Sequence, residues 1–369
     1  MPLVSIARSD PCIEEGLIAA LRLIGGLEAF VTPGDRVLIK PNLNAEEGFT
    51  HPGLTTVLVR LLREDGVRRV VIGESTFGTA AMTDRLFRDT GYAELARELN
   101  VELINLNRSE PVEVLVPDPL VIAKVRVARD ILEADKLINL PTMKVHYATG
   151  ITVAMKNLKG VLVGSEKRRF HEVGLERAIA DLNRVIEPTL NVVDAISCME
   201  GMGPREGDLV QMNLILAGAD AAAVDWVAAQ VMGYRPEEIK YLAHYIEKTS
   251  MDTEAIGVVG ESIESVRYPF RRARVEEIIP ARVTLHEAGA CSACMNALLL
   301  SWRLLQDPPQ REMEVYLGTK AVRSGTRQAS CIAFGDCCPD GLQADVRVSG
   351  CPPYPFTLGE CLKEAGWNA

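Results

Sequence analysis

Apolar positions along the first 160 residues follow two alternating rhythms. Short β-branched runs are separated by stretches with apolar residues at helical spacing. The run at 37–39 (VLI) predicts a buried strand leading into Lys40-Pro41-Asn42-Leu43-Asn44. His51 and Pro52 open a helix through Leu62, with Leu54, Val57, Leu58, Leu61 and Leu62 on one face, and Gly66 ends it. A strand at 69–73, a helix at 92–99 and a strand at 101–106 continue the series. This β-α-β-α order predicts an α/β fold, with a mostly parallel sheet flanked by helices. Residues 112–129 predict two strands turning near 117–119, then a short helix at 128–134 and a strand at 136–140. Helices are expected at 149–162, opened by Thr149 and Gly150, and at 175–186. A strand at 191–196 leads to a Gly-rich loop at 200–207. A strand at 214–217 follows; Asp220 caps a helix through Val231, and another helix covers 236–248.

Near 268–280 charge rises and periodicity fades. The expected division is therefore an α/β domain with a basic crevice at 1–270 and a cluster-binding segment at 271–369. The latter is a smaller cysteine-rich α+β segment with helices at 294–305 and 358–365 and strands at 313–317 and 331–334.

Composition narrows the class. Hydrophobic residues make up 47% of the 369 and charged residues 24%, a globular balance. The formal net charge of -10 favours solubility and argues against non-specific nucleic-acid binding. The N-terminus lacks a basic region followed by an apolar run. The most apolar stretch, 214–233, carries Asp220 and Asp225, which suits a buried strand and helix better than a membrane span. A cytoplasmic protein without nucleic-acid or membrane partners, and a possible homodimer, is the expectation.

Seven of the nine cysteines fall between Cys291 and Cys361. In a reducing compartment such a cluster points to metal ligation rather than disulfides. Cys291-Ser292-Ala293-Cys294 sits at a helix start, where the helix N-terminus favours thiolates. Gly335-Asp336-Cys337-Cys338-Pro339 and Gly350-Cys351-Pro352-Pro353 place glycine beside a thiol and proline just after. The donor type suits a [4Fe-4S] cluster, preferred here, or tetrahedral zinc. Adjacent Cys337 and Cys338 are alternatives for one ligand, and Cys331 and Cys361 are spare.

Several stretches resemble one family, the uncharacterised-domain family numbered 362, which is associated with iron–sulfur proteins. They are Val37 through Asn42, Thr50-His51-Pro52, Val71 through Glu74, Lys144-Val145-His146, Thr149 through Gly160, Glu200 through Pro204 and the G-C-P-P element. The resemblance implies Cys291, Cys294, Cys337 and Cys351 as cluster ligands. Many relatives also carry repeated C-x-x-C runs in a ferredoxin-like insertion. This chain has none, so one cluster is expected. A distant similarity to nickel-pincer lactate racemases has no motif here that carries their chemistry.

Polar residues gather where strands are expected to end, the edge at which α/β sheets bind ligands. Lys40, Glu74, Lys144 and His146 are the catalytic candidates. Asn42, His51, Lys156, Asn157, Lys159 and Gly203 are the substrate-binding candidates, with His171 nearby. Helical spacing would put Thr152, Lys156 and Lys159 near one face, and the Thr149-Gly150 helix start could hold an anion. Plainer readings compete. Lys40 can be an ion-paired strand end, Glu74 a helix cap, and Lys167-Arg168-Arg169 a solvated face or mobile loop. Gly201, Gly203, Pro204 and Gly207 can form a turn or a loop that closes over a ligand. No Walker A motif, strand-linked G-x-G-x-x-G or nucleophile elbow occurs.

Three functions follow. The first is a redox enzyme passing electrons from the cluster to a small anionic substrate, supplied by a ferredoxin-type donor. The second is a carrier or scaffold without turnover. The third is a lyase or isomerase with a structural or Lewis-acid cluster.

Overall fold

The computed structural model describes residues 1–322 and 329–367. The chain divides into two units, Met1–Ala273 and Arg274–Ala369.

The first unit opens with β1 (Leu3–Arg8), α1 (Ile13–Arg22), β2 (Arg36–Pro41), α2 (Pro52–Glu64) and β3 (Arg69–Glu74). Next come α3 (Ala80–Asp89), α4 (Tyr92–Glu98), β4 (Glu102–Asn105), β5 (Pro111–Leu115) and β6 (Lys124–Ala128). Then follow α5 (Arg129–Leu132), β7 (Lys136–Leu140), β8 (Thr142–His146), β9 (Gly150–Thr152) and α6 (Ala154–Asn157). The unit closes with α7 (Glu166–Val173), α8 (Leu175–Asn183), β10 (Leu190–Met202), β11 (Glu206–Gly218), α9 (Ala221–Val231), α10 (Lys240–Thr249), β12 (Gly257–Gly260) and α11 (Ile263–Val266).

Ten strands form one mostly parallel sheet in the order β12-β1-β11-β10-β7-β2-β3-β4, with β8 on β10 and β9 on β8. β11 is antiparallel to both of its neighbours. Both faces are covered, which is why the strands read as unbroken apolar runs. Val37 and Ile39 pack with Leu54 and Leu58 of α2, whereas Leu38 faces the opposite core with Ile179 of α8 and Val224 of α9.

Three expectations change. The helix expected at 149–162 is a strand, a four-residue helix and a 3-10 turn (Leu158–Val161). Gly150 has φ +78, and residues 150–152 pair antiparallel with 144–146, so no anion-holding helix start lies at Thr149-Gly150. Thr152 therefore does not share a helix face with Lys156 and Lys159. Lys144 and His146 lie within β8 rather than after the strand at 136–140. The Gly-rich segment is the tip of the long β10–β11 hairpin, with only residues 203–205 outside the strands. Its glycines permit close approach. A Cβ at Gly203 would lie 2.1 Å from Val145 O, and one at Gly207 2.1 Å from Glu200 O.

The second unit has β13 (Val283–Glu287), α12 (Ser292–Arg303), β14 (Met313–Leu317), β15 (Ser330–Phe334), β16 (Val346–Val348) and α13 (Thr357–Glu364). Its four strands form an all-parallel sheet in sequence order. β16 was not legible as a strand in the sequence.

Candidate active site and candidate metal centre

β2 and β3 are parallel neighbours, so their C-terminal ends bring Lys40 and Glu74 together. Lys40 Nζ donates to Glu74 Oε2 and to Pro41 O, each at 2.9 Å. Glu74 Oε1 accepts from Ser75 N at 2.7 Å. Lys40 is fully buried. Burial pushes its pKa down and Glu74 opposes the shift. Gly160 lies against this pair. A Cβ there would stand 2.1 Å from Glu74 Oε1 and 2.5 Å from Lys40 Nζ, so any larger residue would have to displace the pair.

Lys144, on β8, donates from Nζ to Asn42 Oδ1 and Gly48 O, both at 2.9 Å. A chain of amides starts there. Asn42 Nδ2 donates to Asn157 Oδ1, Asn157 Nδ2 to Asn139 Oδ1, and Asn139 Nδ2 to Asn191 Oδ1, each at 2.8 Å. Asn191 Nδ2 ends it on Gly218 O (3.2 Å) and Ala219 O (3.0 Å). All four asparagines are buried, and this chain satisfies their amides.

Further cations surround this core. Lys156, at the end of α6, is half-buried, and among the described residues its ammonium has no hydrogen-bond partner. Burial lowers the pKa of Lys144 and of Lys156 to about 7; for Lys144, nearby Lys156 and Arg205 add to the effect. Lys159 Nζ lies 2.9 Å from His171 Nε2, and burial with neighbouring lysines pushes both groups well down. Lys167 is buried and donates to Ser75 Oγ (2.5 Å), Leu162 O (2.8 Å) and Asn107 Oδ1 (3.3 Å). Burial lowers it too, to about 7. The run expected to be a solvated face or mobile loop is thus helix α7, with Lys167 turned inward beside buried Phe170.

His146 is buried; its Nδ1 accepts from Ala148 N at 3.1 Å, and burial with Lys156 and Lys159 nearby keeps the ring neutral. It lines a cavity of about 190 Å³ with Tyr147, Tyr234, Glu238 and Arg272. His51 is exposed and serves as the N-cap of α2, its Nδ1 accepting from Gly53 N at 3.0 Å. Its backbone N–H donates to buried Asp194. Gly203 brings the hairpin tip against β8, and its carbonyl accepts from Tyr147 N at 3.0 Å. Asp225 of α9 was not singled out from sequence. Its Oδ1 accepts from Ala154 N (2.7 Å) and Met155 N (3.3 Å), and its Oδ2 from the Tyr241 hydroxyl (2.7 Å). It therefore anchors the start of α6. As a group, Lys40, Asn42, Glu74, Lys144 and Asn157 form one bonded network, with Lys156 and Lys159 joined to it by charge.

In the second unit the thiols also gather beyond the C-terminal ends of parallel strands. Cys291 follows β13, Cys337 follows β15 and Cys351 follows β16. Asp336 N donates to Gly350 O (3.0 Å) and Gly350 N to Asp336 Oδ1 (2.7 Å), clasping the last two loops. The Cys294 thiol is pushed up by its hydrogen bond with Cys291, by burial, and by Cys337 and Cys351. Cys338 turns into the core and donates to Tyr316 O at 3.2 Å. None of the nine cysteines is in a disulfide. Among the described residues, no group of three or more His, Cys, Asp or Glu is already closed tightly enough to hold a metal ion.

Thiols are the donor type that a four-thiolate group takes. Gly335 leaves a hollow between them, since a Cβ there would stand 3.3 Å from Cys294 Sγ and 3.8 Å from Cys337 Sγ.

The family described as "Domain of unknown function (DUF362)" matches residues 37–230. That stretch holds the whole lysine and asparagine network and ends before the thiols. A thylakoid-associated protein of Synechocystis sp. is 29% identical over 255 residues, covering 65% of this chain and 77% of that protein. Among solved structures, the lactate racemase apoprotein from Thermoanaerobacterium thermosaccharolyticum is 11% identical. That likeness covers 85% of this chain and 68% of the other, with a TM-score of 0.42. No helix among the described residues is long and apolar enough to cross a membrane.

Proposed function

The chain belongs to the DUF362 family, and from that premise we propose that it is an iron–sulfur oxidoreductase acting on a small anionic substrate held by the strand-end lysines. The observation that carries the reading is a group of desolvated lysines with a single carboxylate among them. Lys144, Lys156, Lys159 and Lys167 share the site with Glu74, whose carboxylate is already paired with Lys40. Desolvated cations without matching anions are costly, and an incoming carboxylate or phosphate offsets that cost.

Lys156 offers its ammonium to the anion, and Lys144 and Lys159 stand beside it. His146 is neutral with Nδ1 accepting, so its Nε2 carries the proton and can donate to a substrate oxygen. Lys144 near neutrality can give or take a proton. Lys40 and Glu74 hold the strand ends in register. Cys291, Cys294, Cys337 and Cys351 would hold a [4Fe-4S] cluster, with zinc the alternative for the same donors. When bound, the cluster supplies one-electron chemistry at that centre. A ferredoxin-type protein is the proposed donor, since the sequence lacks a dinucleotide motif. The setting is proposed to be cytoplasmic.

The test has two parts on the same anoxically purified protein. Iron and sulfide are quantified, with about four of each per chain expected. Binding of a series of mono- and dicarboxylates and phosphate is then measured by calorimetry, alongside Lys156→Met. Saturable binding that weakens at least tenfold in the variant supports the site; its absence for every anion sinks the substrate reading. One zinc per chain and no iron would sink the redox reading. A second reading, an acid–base lyase or isomerase with a structural metal, is favoured by the near-neutral Lys144, Lys156 and Lys167. It would survive the zinc result.

A further inference from the structure

The β10–β11 hairpin carries a cation that sequence reasoning did not single out. Arg205 lies at its tip, outside both strands. The tip is held in place. Met202 and Glu206 pair across it, Gly203 N donates to Gly201 O at 2.8 Å, and Gly203 O accepts from Tyr147 N at 3.0 Å. Met199 of the same hairpin pairs with Lys144 of β8. The loop whose Gly48 carbonyl accepts from Lys144 packs there too, since a Cβ at Gly48 would stand 2.8 Å from Met199 Cε. Arg205 therefore borders the lysine site on a fixed element.

Arg205 is half-buried, and among the described residues its guanidinium has neither an ion pair nor a hydrogen bond. Glu46, one of the carboxylates near it, pairs with Arg85 at 3.1 Å instead. The guanidinium nitrogens are open to solvent; the sealed, unpaired side-chain atoms among the described residues do not include them. Burial still costs this cation, and it is the first cause of a pKa below the ordinary arginine value. Lys144 and Lys156, near 7, can relieve the same cost by losing a proton. A guanidinium stays charged across that range. The charge that the ligand-free site cannot shed is thus the one on Arg205, and its complement is an anion from outside.

The placement of the cations narrows the class of anion. The Arg205 and Lys156 charges both lower Lys144, whereas burial alone lowers Lys156. Arg205 and Lys156 thus lie apart, with Lys144 near each. One guanidinium balances one negative charge, and its fork of N–H groups matches the two oxygens of a carboxylate. We infer that Arg205 is the second anchor of the anion site and that the substrate is a small dicarboxylate, with one carboxylate forked by the Arg205 guanidinium and the other held by Lys156. The inference rests on the anion-site reading and adds the substrate class to it.

The test is calorimetric titration of the full chain below pH 7. The ligands are the α,ω-dicarboxylates from malonate to adipate and the monocarboxylate of each length. Wild type, Arg205→Met and Arg205→Lys are compared. At least one dicarboxylate should bind wild type tenfold or more tightly than its monocarboxylate. Arg205→Met should cut that ratio to below about threefold. Arg205→Lys, which keeps the charge without the fork, should recover only part of it. Because the guanidinium has no partner to lose, ligand-free Arg205→Met should melt no lower than wild type. An unchanged ratio in Arg205→Met, full recovery by Arg205→Lys or a lowered melting temperature would each overturn the role given to Arg205. Carboxylate binding to wild type with no preference for two ends would overturn the dicarboxylate assignment and leave the anion site standing. No binding of any carboxylate would overturn both.

Discussion

Glu74→Gln would leave Lys40 as an unpaired cation with no access to water. Breaking a buried pair from one side costs about 3–5 kcal/mol, so urea unfolding should show a loss of that size. Lys40→Met/Glu74→Leu, which removes both charges, should cost less than Glu74→Gln alone. Gly160→Ala forces the same pair apart and should lower the melting temperature although only a methyl is added. Protonation gives a further test at this scale. Lys144 and Lys156 titrate near 7 instead of 10.5. They are cationic below that pH, so anion affinity should be highest below about pH 7 and fall as pH rises through it. Stability has the opposite sign. Between about pH 7 and 10.5 the unfolded chain holds more protons on these lysines than the folded one, so the ligand-free fold gains stability as pH rises through that window. A flat affinity profile from pH 6 to 9 would refute the role given to these two lysines. Lys40, Glu74, Lys144 and Lys156 could be picked from the sequence because each follows or lies in an apolar run. Lys167 could not, because a basic tripeptide gives no sign of which member turns inward.

At the scale of elements, the site depends on α6, four residues long and too short to be stable alone. Asp225 holds its first amides from α9, and burial raises that carboxyl to about 7 despite three hydrogen bonds. Asp225→Ala should cost about 1–3 kcal/mol through stranded amides. It should also weaken anion binding, because Lys156 and Asn157 ride on α6. Unchanged anion affinity in a folded variant would show that α6 is held by other contacts. This element explains where sequence reasoning stopped. Thr149 to Leu162 packs a strand, a helical turn and a 3-10 turn into fourteen positions, fewer than periodicity can resolve. The long helices and the strands at β2, β3 and β7 were legible because each exposes one clear rhythm. The β10–β11 hairpin was half-legible, since its outer half carries too many polar and glycine residues to read as strand.

At the scale of the whole molecule, both units place their chemistry beyond the C-terminal ends of parallel strands, lysines in one and thiols in the other. The α/β class followed from the order of elements, but the strand order and the two antiparallel joints at β11 did not, because pairing partners far apart in sequence leave no local mark. If the cysteines hold the metal, Cys337→Ser should lower metal content per chain while Cys361→Ser leaves it unchanged. The affinity of the lysine site for its anion should stay the same in both variants. Equal metal content in wild type and Cys337→Ser would remove that residue from the ligand set.

The asparagine chain has one more consequence. Its last member is fixed as a donor by two backbone carbonyls, so every amide upstream must present its oxygen toward Lys144. The polarity of the row cannot be reversed. The lysine nitrogen must therefore keep two N–H bonds, to Asn42 and Gly48, whether or not it is charged. An amine has just two hydrogens, so losing the third proton breaks neither bond. Tetrahedral geometry then aims the freed electron pair away from both partners. Proton exchange at this nitrogen needs no rearrangement of its scaffold, and the direction of that exchange is set at the other end of the amide row.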